Sequence, residues 1–314
     1  MVAGCAREAI AATQAIDTLP QGDFAMSDTT ILAQGIYFGE GPRWHDGRLW
    51  FSDFYAHAVK SVSEQGELRT ELELDDQPSG LGWLPDGRLL VVAMKERAVK
   101  RLDPGGLVVH ADISHLTAHL CNDMVVDAEG FAWVGNFGFD LDADLKARGI
   151  EVLSNHPVTN LVRVDPDGCV HLAARDMHFP NGSVITPDGR TLIVAETLAG
   201  CLTAFTINSD KSLSERRVWA TLPGVAPDGI CLDANGHVWA ANAIGPEVVQ
   251  VAQGGEIVDR VATSQPCYAC MLGGSDGKTL FAVTASSSDG EHASAAATGR
   301  IETIRVKAAQ AGWP

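Results

Sequence analysis

A hairpin signature recurs six times along this chain and governs what it can become. The segments "WHDGRLWFSD", "LPDGRLLVVA", "DAEGFAWVGN", "TPDGRTLIVAE", "DANGHVWAAN" and "GSDGKTLFAVT" each place an acid- or Asn-Gly pair between two β-prone runs. Such a pair is a strong hairpin signal, because the turn needs residues that tolerate positive φ. The turn glycines Gly47, Gly87, Gly130, Gly189, Gly236 and Gly277 are 40, 43, 59, 47 and 41 residues apart. A second hairpin follows most copies, as in "AVKRLDPGGLVVHA" and "NLVRVDPDGCVHLA". Two hairpins per period of roughly 40–50 residues describe a four-stranded propeller blade. The expected fold is therefore all-β, a six-bladed β-propeller with four-stranded blades around a central channel. The tail "GRIETIRVKAA" supplies strands for the last blade. The segment 29–38, "TTILAQGIYF", is placed to pair with it and close the ring, which removes open sheet edges.

The same period locates the unusual polar residues. Counting back eight residues from each turn glycine, or seven in the shorter first blade, reaches Glu40, Ser79, Asn122, Asn181, Asp228 and Ala269. Taken singly, Glu40 in "GEGP" reads as a solvated turn residue, since acids are mostly exposed. Taken in phase, these positions open the first strand of each blade, the strand that lines a propeller's channel, so they form a ring at its mouth. Two carboxylates and two carboxamides converging there are costly unless a cation offsets their burial and repulsion. An all-oxygen set selects a hard divalent ion. We expect one such ion, Ca²⁺ first, with Zn²⁺, Mn²⁺ or Mg²⁺ as alternatives. Ser79 and Ala269 are small and leave room for a ligand. The second strand of each hairpin returns to the same end and finishes at Asp53, Asn136, Glu196 and Asn242. These are expected to stand behind the ring or face the substrate, with turn capping as the alternative. His178, His115 and His119 flank the Asn motifs within reach of the pocket, with loop or packing roles as the alternative.

Composition narrows the partners. A formal net charge of −17 speaks against nucleic acid and against an anionic membrane surface, but not against a cation. No run of about 18 consecutive apolar residues exists, so no helix is expected to span a membrane. The seven cysteines are odd in number and mostly scattered, which suits a reduced, cytoplasmic setting better than a disulfide scaffold. Cys267 and Cys270 form one CxxC without a second pair, and read as structural. The first 25 residues are Ala-rich and lack both a basic n-region and a continuous apolar h-region. Cys5 in "VAGC" hints at a lipoprotein cleavage site, with only four residues before it. Residues 1–25 are expected to be a disordered or loosely attached extension, and 26–314 one propeller domain. The 59-residue interval carries an insertion, 137–159, between the two hairpins of blade three. Such inserts either shape binding sites or decorate the surface.

Four motifs, "GEGPRW", "NDMVVDAEG", "FPNGSVITPDGRTLIVAETLAGCL" and "PDGICLDANGHVWAAN", together resemble the SMP-30/gluconolactonase/luciferin-regenerating-enzyme family, over about residues 32–306. The resemblance implies a six-bladed propeller that binds one divalent metal through Glu40, Asn181 and Asp228, with Asn122 contacting the metal or the substrate. One departure bears on the substrate. Many relatives carry an Arg or Pro just before the "ND" pair, where this chain has Leu120-Cys121. An Arg there can hold a sugar hydroxyl or carboxylate, so the departure leans away from an aldonolactone toward something less polar.

The expected activity is metal-dependent hydrolysis of a lactone, a gluconolactonase-like opening of a cyclic ester. The metal would polarise the carbonyl, Asp228 would activate water and Asn122 would orient the substrate. Phosphotriester hydrolysis, or another reaction on a catabolic intermediate, is the alternative within enzymes. A non-catalytic, calcium-stabilised binding propeller is the alternative outside them, since fold alone does not decide function. The expected partner is a small molecule, with no nucleic acid and no membrane.

Overall fold

The structure, a computed structural model, describes residues 28–314. The proposed extension 1–25 lies outside the described residues. Within them, six four-stranded antiparallel sheets form the blades of a propeller. The turn glycines between the first and second strands all take positive φ, from +68° at Gly189 to +90° at Gly130. Neighbouring aspartates fasten these turns. Asp127 Oδ1, for example, accepts from the Glu129 and Phe131 N–H groups at 2.9 Å each.

The sixth blade is assembled from both ends of the described chain. Strands Cys267–Gly273, Thr279–Thr284 and Gly299–Arg305 are completed on the outside by Thr30–Ile36. The register runs from Thr30 opposite Thr303 to Ile36 opposite Gly299. Pairing these two segments ties the last blade to the first and leaves no gap in the circle.

Burial grades outward along each blade. The inner strands Cys121–Val126, Pro180–Ile185 and Pro227–Leu232 are buried at every residue. They lie between the channel and the next blade's face, so they read as continuous rather than alternating. The outermost strand Leu68–Glu73 is exposed along nearly its whole length. Large side chains such as Trp133, Trp239, Phe51 and Phe281 fill the wedges between blades.

All six inner hairpins slip register at the same place. The irregularity falls between Glu40 and Arg43, Pro78 and Leu81, Cys121 and Met124, Pro180 and Ser183, Pro227 and Ile230, and Cys267 and Ala269. A β-bulge bends its strand and re-aims side chains. Here the bulges coincide with the phased positions at the strand starts. In blade one the bulge needs Gly41 at φ +55°, where an added Cβ would also lie 3.0 Å from the Ser79 carbonyl oxygen.

Two segments cover the ring end of the channel. The 137–159 insertion forms helix α1 (Leu141–Arg148), whose N-cap Asp140 accepts from Ala143 N at 3.0 Å. Its Phe139 and Val152 bury against Phe179. Helix α2 (Gly290–Ala295) follows the second strand of blade six and buries Ala293. At the opposite end the C-terminal tail crosses blades five and four. Ala311 N donates to Leu232 O at 2.9 Å, and Trp313 exchanges hydrogen bonds of 2.9 and 2.8 Å with Ile185. The tail has no counterpart in the repeat, so periodicity did not forecast it. No helix among the described residues is long and apolar enough to cross a membrane.

Replacing Gly41 with Ala forces a side chain into left-handed backbone and against a neighbouring carbonyl. Gly41→Ala is expected to lower unfolding stability by about 1–2 kcal/mol, read as a shift of the urea midpoint. An unchanged midpoint would show that the bulge relaxes freely.

Candidate metal centre in the channel

The phased residues converge as their spacing predicts. Glu40, Ser79, Asn122, Asn181 and Asp228 are each the second residue of an inner strand, and Ala269 is the third. All six are buried. The strands carrying them approach so closely that the next residue is glycine in four blades. An added Cβ would lie 2.2 Å from Met124 N at Gly80, 2.5 Å from Ile230 N at Gly182 and 2.6 Å from Ala269 Cα at Gly229. The ring side chains therefore project past bare backbone into the channel.

Their electrostatics are unfavourable as they stand. Burial pushes the Glu40 carboxyl well above the usual carboxylate range, and the charges of Asp228 and Asp123 push it further. The Gly41 N–H, donating at 3.3 Å, and the Arg43 guanidinium act the other way. Burial likewise raises Asp228, with Asp123 adding to it and a hydrogen bond from Asn181 opposing it. Asp228 Oδ1, Asn181 Oδ1, Asn122 Nδ2 and Ser79 Oγ are buried without a hydrogen-bond partner. Buried polar atoms without partners are rare and call for an explanation.

Thr197 accounts for the pose of one ligand candidate. Its Oγ1 donates to Pro227 O at 2.8 Å and accepts from Asn181 Nδ2 at 3.3 Å. That holds the amide nitrogen aside and leaves Oδ1 free. Among the described residues no three His, Cys, Asp or Glu side chains assemble as a cation site of their own. The ring differs from such a cluster in composition, because half of its donors are carboxamides. Its donor chemistry, two buried carboxylates, of which Asp228 has an orphaned oxygen, and two amides able to present oxygen, fits a hard divalent cation.

Asp53, Asn136, Glu196 and Asn242 end their strands at the ring's end, as expected, and their hydrogen bonds run to entering loops and to neighbouring strands. The Asp53 carboxylate accepts from Tyr37 N at 3.1 Å, Phe38 N at 3.0 Å and Lys60 Nζ at 2.7 Å. Asn136 Nδ2 donates to Asn160 O at 2.7 Å. Glu196 accepts from His178 N at 2.7 Å and Arg216 Nη2 at 3.0 Å. Asn242 Oδ1 accepts from Ala226 N at 3.1 Å. Three of the four thus pin the segment that leads into an inner strand, two or three residues ahead of a ring residue. The His178 ring meets His156 of the insertion, with Nδ1 and Nε2 3.1 Å apart. His119 lies 3.8 Å from Asp140, and His115 lines a cavity of about 330 Å³ with Asn160 and Arg175. Of the Leu120-Cys121 pair only Leu120 faces the mouth; Cys121 packs into the core beside Val92 and Met124. Cys267 and Cys270 are buried, their Sγ atoms directed at backbone carbonyls.

Sequence reasoning missed a buried ion pair beside the ring. Arg43 Nη2 lies 2.6 Å from Asp123 Oδ1, with both side chains about 95% buried (4% and 5% exposed). Arg43 also donates to Pro42 O at 2.7 Å, to Leu81 O at 3.0 Å and to Met124 O, which laces blades one, two and three together. Two signals were available. Asp123 occupies the position that is glycine in four other blades, and Arg43 interrupts a buried strand.

Fold and ring together define a class, a six-bladed propeller with carboxylates and carboxamides around its channel. Residues 38–286 match the SMP-30/Gluconolactonase/LRE-like region, and the chain belongs to that family. The pentonolactonase XacC of Haloferax volcanii is 26% identical over 302 residues, 92% of this chain and 97% of that protein. A 6-deoxy-6-sulfogluconolactonase of Pseudomonas putida is 23% identical over 261 residues, 80% of this chain and 84% of that one. The calcium-binding protein regucalcin of Agrobacterium tumefaciens shares the fold, with a TM-score of 0.75 at 20% identity over 92% of this chain and 97% of its own.

Arg43→Met leaves Asp123 buried and unpaired, and is expected to cost about 3–5 kcal/mol in a urea titration. Adding Asp123→Leu should recover much of that loss, and a wild-type midpoint for the single variant would contradict the pairing. The insertion should respond to pH through His156. Burial first, then His178 and Arg148, hold it below its usual value, against the Val152 and Leu153 backbone. A depressed folded pKa contributes order fully above the unfolded value and loses it as pH falls toward the folded one. Amide-exchange protection across 137–159 is expected to drop between about pH 7.5 and about pH 5. That drop should be absent in His156→Gln.

Proposed function

We propose that this protein is a metal-dependent lactonase, with its reacting centre at the channel ring. The observation that carries the reading is the burial of Glu40 and Asp228 together, beside Asn122 and Asn181, with Asp228 Oδ1 and Asn181 Oδ1 left unpartnered. The named lactonases among its relatives support a cyclic ester as the substrate. Glu40, Asn181, Asp228 and Asn122 would hold the ion, with Ca²⁺ preferred for an all-oxygen set that includes neutral amides. When bound, a divalent cation supplies Lewis-acid polarisation of the lactone carbonyl and charge to offset the developing oxyanion.

The protein's own groups divide the remaining work. Asp228 accepts the proton of the attacking water at the carboxylate oxygen that the ion would leave unengaged, and returns it to the ring oxygen as the ester opens. Asn122 has an amide nitrogen without a partner, placed to donate to substrate oxygen. Thr197 fixes the Asn181 amide, while Asp53 and Glu196 hold the loops that set Glu40 and Asn181 in place. The glycines beside the ring keep the floor free of side chains. Cys121, Cys169, Cys231, Cys267 and Cys270 form no disulfide, in keeping with a reducing, cytoplasmic setting.

Exhaustive chelation should abolish lactone hydrolysis and lower the melting temperature, with both restored by Ca²⁺. Asp228→Asn is expected to reduce kcat by about 10²–10⁴-fold, and Glu40→Gln to weaken the Ca²⁺-dependent rise in melting temperature. Undiminished turnover after chelation sinks the proposal. A Ca²⁺-dependent melting temperature without turnover on any lactone would favour the non-catalytic binding propeller instead.

A further inference from the structure

Above the ring the channel is walled by an apolar layer drawn from different blades. Phe38 lies two residues before Glu40, Leu120 two before Asn122, and Tyr268 directly before Ala269, while Phe137 directly follows Asn136. All four belong to one hydrophobic cluster with Phe54 and Met94. They come from blades six, one and three, and Met94 of blade two and Ala243 of blade five carry the cluster on around the mouth. The Phe38 ring is 4.8 Å from Tyr268 and 5.4 Å from Phe54, and Phe137 is 4.5 Å from Phe179. Leu120 and Phe137 are only half-buried, so the layer keeps an open apolar face on the side of blade three.

Two hydroxyls at this level are already engaged. The Tyr268 hydroxyl is bonded to Ser288, and the Thr197 hydroxyl is occupied by Pro227 O and Asn181. The rim above the cluster is acidic: Asp142 on α1 stands near Asp140 and near Asp289, the N-cap of α2, with Lys146 as a weaker counterweight. A substituent hydroxyl pressed onto the aliphatic and aromatic carbons of this layer would lose water there. An anionic substituent would meet like charge at the entrance.

We infer that the substrate is a neutral lactone carrying an alkyl or aryl substituent, which packs on the layer formed by Phe38, Leu120, Phe137 and Tyr268 while the ester faces the ring. This deepens the lactonase reading and rests on it for the chemistry, but the apolar mouth can be tested separately.

The test pairs two series on the full chain with saturating Ca²⁺. Binding of γ-lactams bearing hydrogen, propyl or pentyl groups, which resist hydrolysis, reads the mouth alone. Turnover of the matching γ-lactones and of glucono-δ-lactone reads the reaction. Lactam affinity is expected to rise about fourfold per added methylene until the layer is covered. The propyl lactone should exceed glucono-δ-lactone in kcat/KM by at least about 30-fold, the gain of two to three buried methylenes. Leu120→Arg should flatten the lactam series; Leu120→Gln, closer in size, serves if the arginine variant does not fold. Lactam affinity that is independent of chain length, or a preference for glucono-δ-lactone, overturns the inference and leaves the lactonase reading standing. A rising lactam series with no turnover of any lactone upholds the apolar mouth and removes the lactonase reading.

Discussion

Six inner strands share one axis, and the space between them is set by how closely backbones can approach. At Gly80, Gly182 and Gly229 even a single methyl group would overlap the neighbouring strand. Much of the architecture depends on that crowding. Side chains cannot sit at these positions, so the residue just before each one supplies the channel's lining. A bulge at the same level in all six hairpins breaks the ladder there and turns that residue inward. The exceptions to glycine also follow. Asp123 fits because Arg43 reaches beneath the ring to pair with it, and Cys270 directs its sulfur at the Gly229 and Trp239 carbonyls.

The ring inherits an electrostatic problem from this geometry. Glu40 and Asp228 are buried within each other's field, and the Arg43 guanidinium beside them is committed to Asp123 and to three backbone carbonyls. A folded chain keeps such a group only if something repays its desolvation. The orphaned oxygens identify where that compensation would act. The carboxylates and amides that end the second strands serve a different need. Asp53, Glu196 and Asn242 take up the N–H groups of the entering loops, so the segments that lead to the ring rest on a polar scaffold.

Much of this was legible in the sequence, for a specific reason. Hairpin turns require Gly after Asp, Asn or Glu, so the turns mark the blades, and a fixed count from each turn reaches the ring. Glu40 alone resembled a turn acid; its phase with Asn122, Asn181 and Asp228 separated it from one. The N-terminal strand's pairing with the tail followed from the need to close the circle. The loop-fastening roles of Asp53 and its counterparts could not be separated from a substrate-facing role, because both demand the same residue types at the same strand ends. Arg43 and Asp123 stayed hidden because they belong to different blades, and no period links a pair that occurs once.

By itself the sequence determined the number of blades, the closure of the last one and the register of four polar groups, because these depend on local turn chemistry repeated at a nearly constant interval. Tertiary structure decided what the repeat does not contain. It brought the unrepeated insertion, α2 and the aromatic residues of separate blades together over one mouth, led the C-terminal tail across the other end, and set Arg43 against Asp123. Those contacts join residues as far apart in sequence as Phe38 and Tyr268, and only the closing of the ring in space fixes which of them meet.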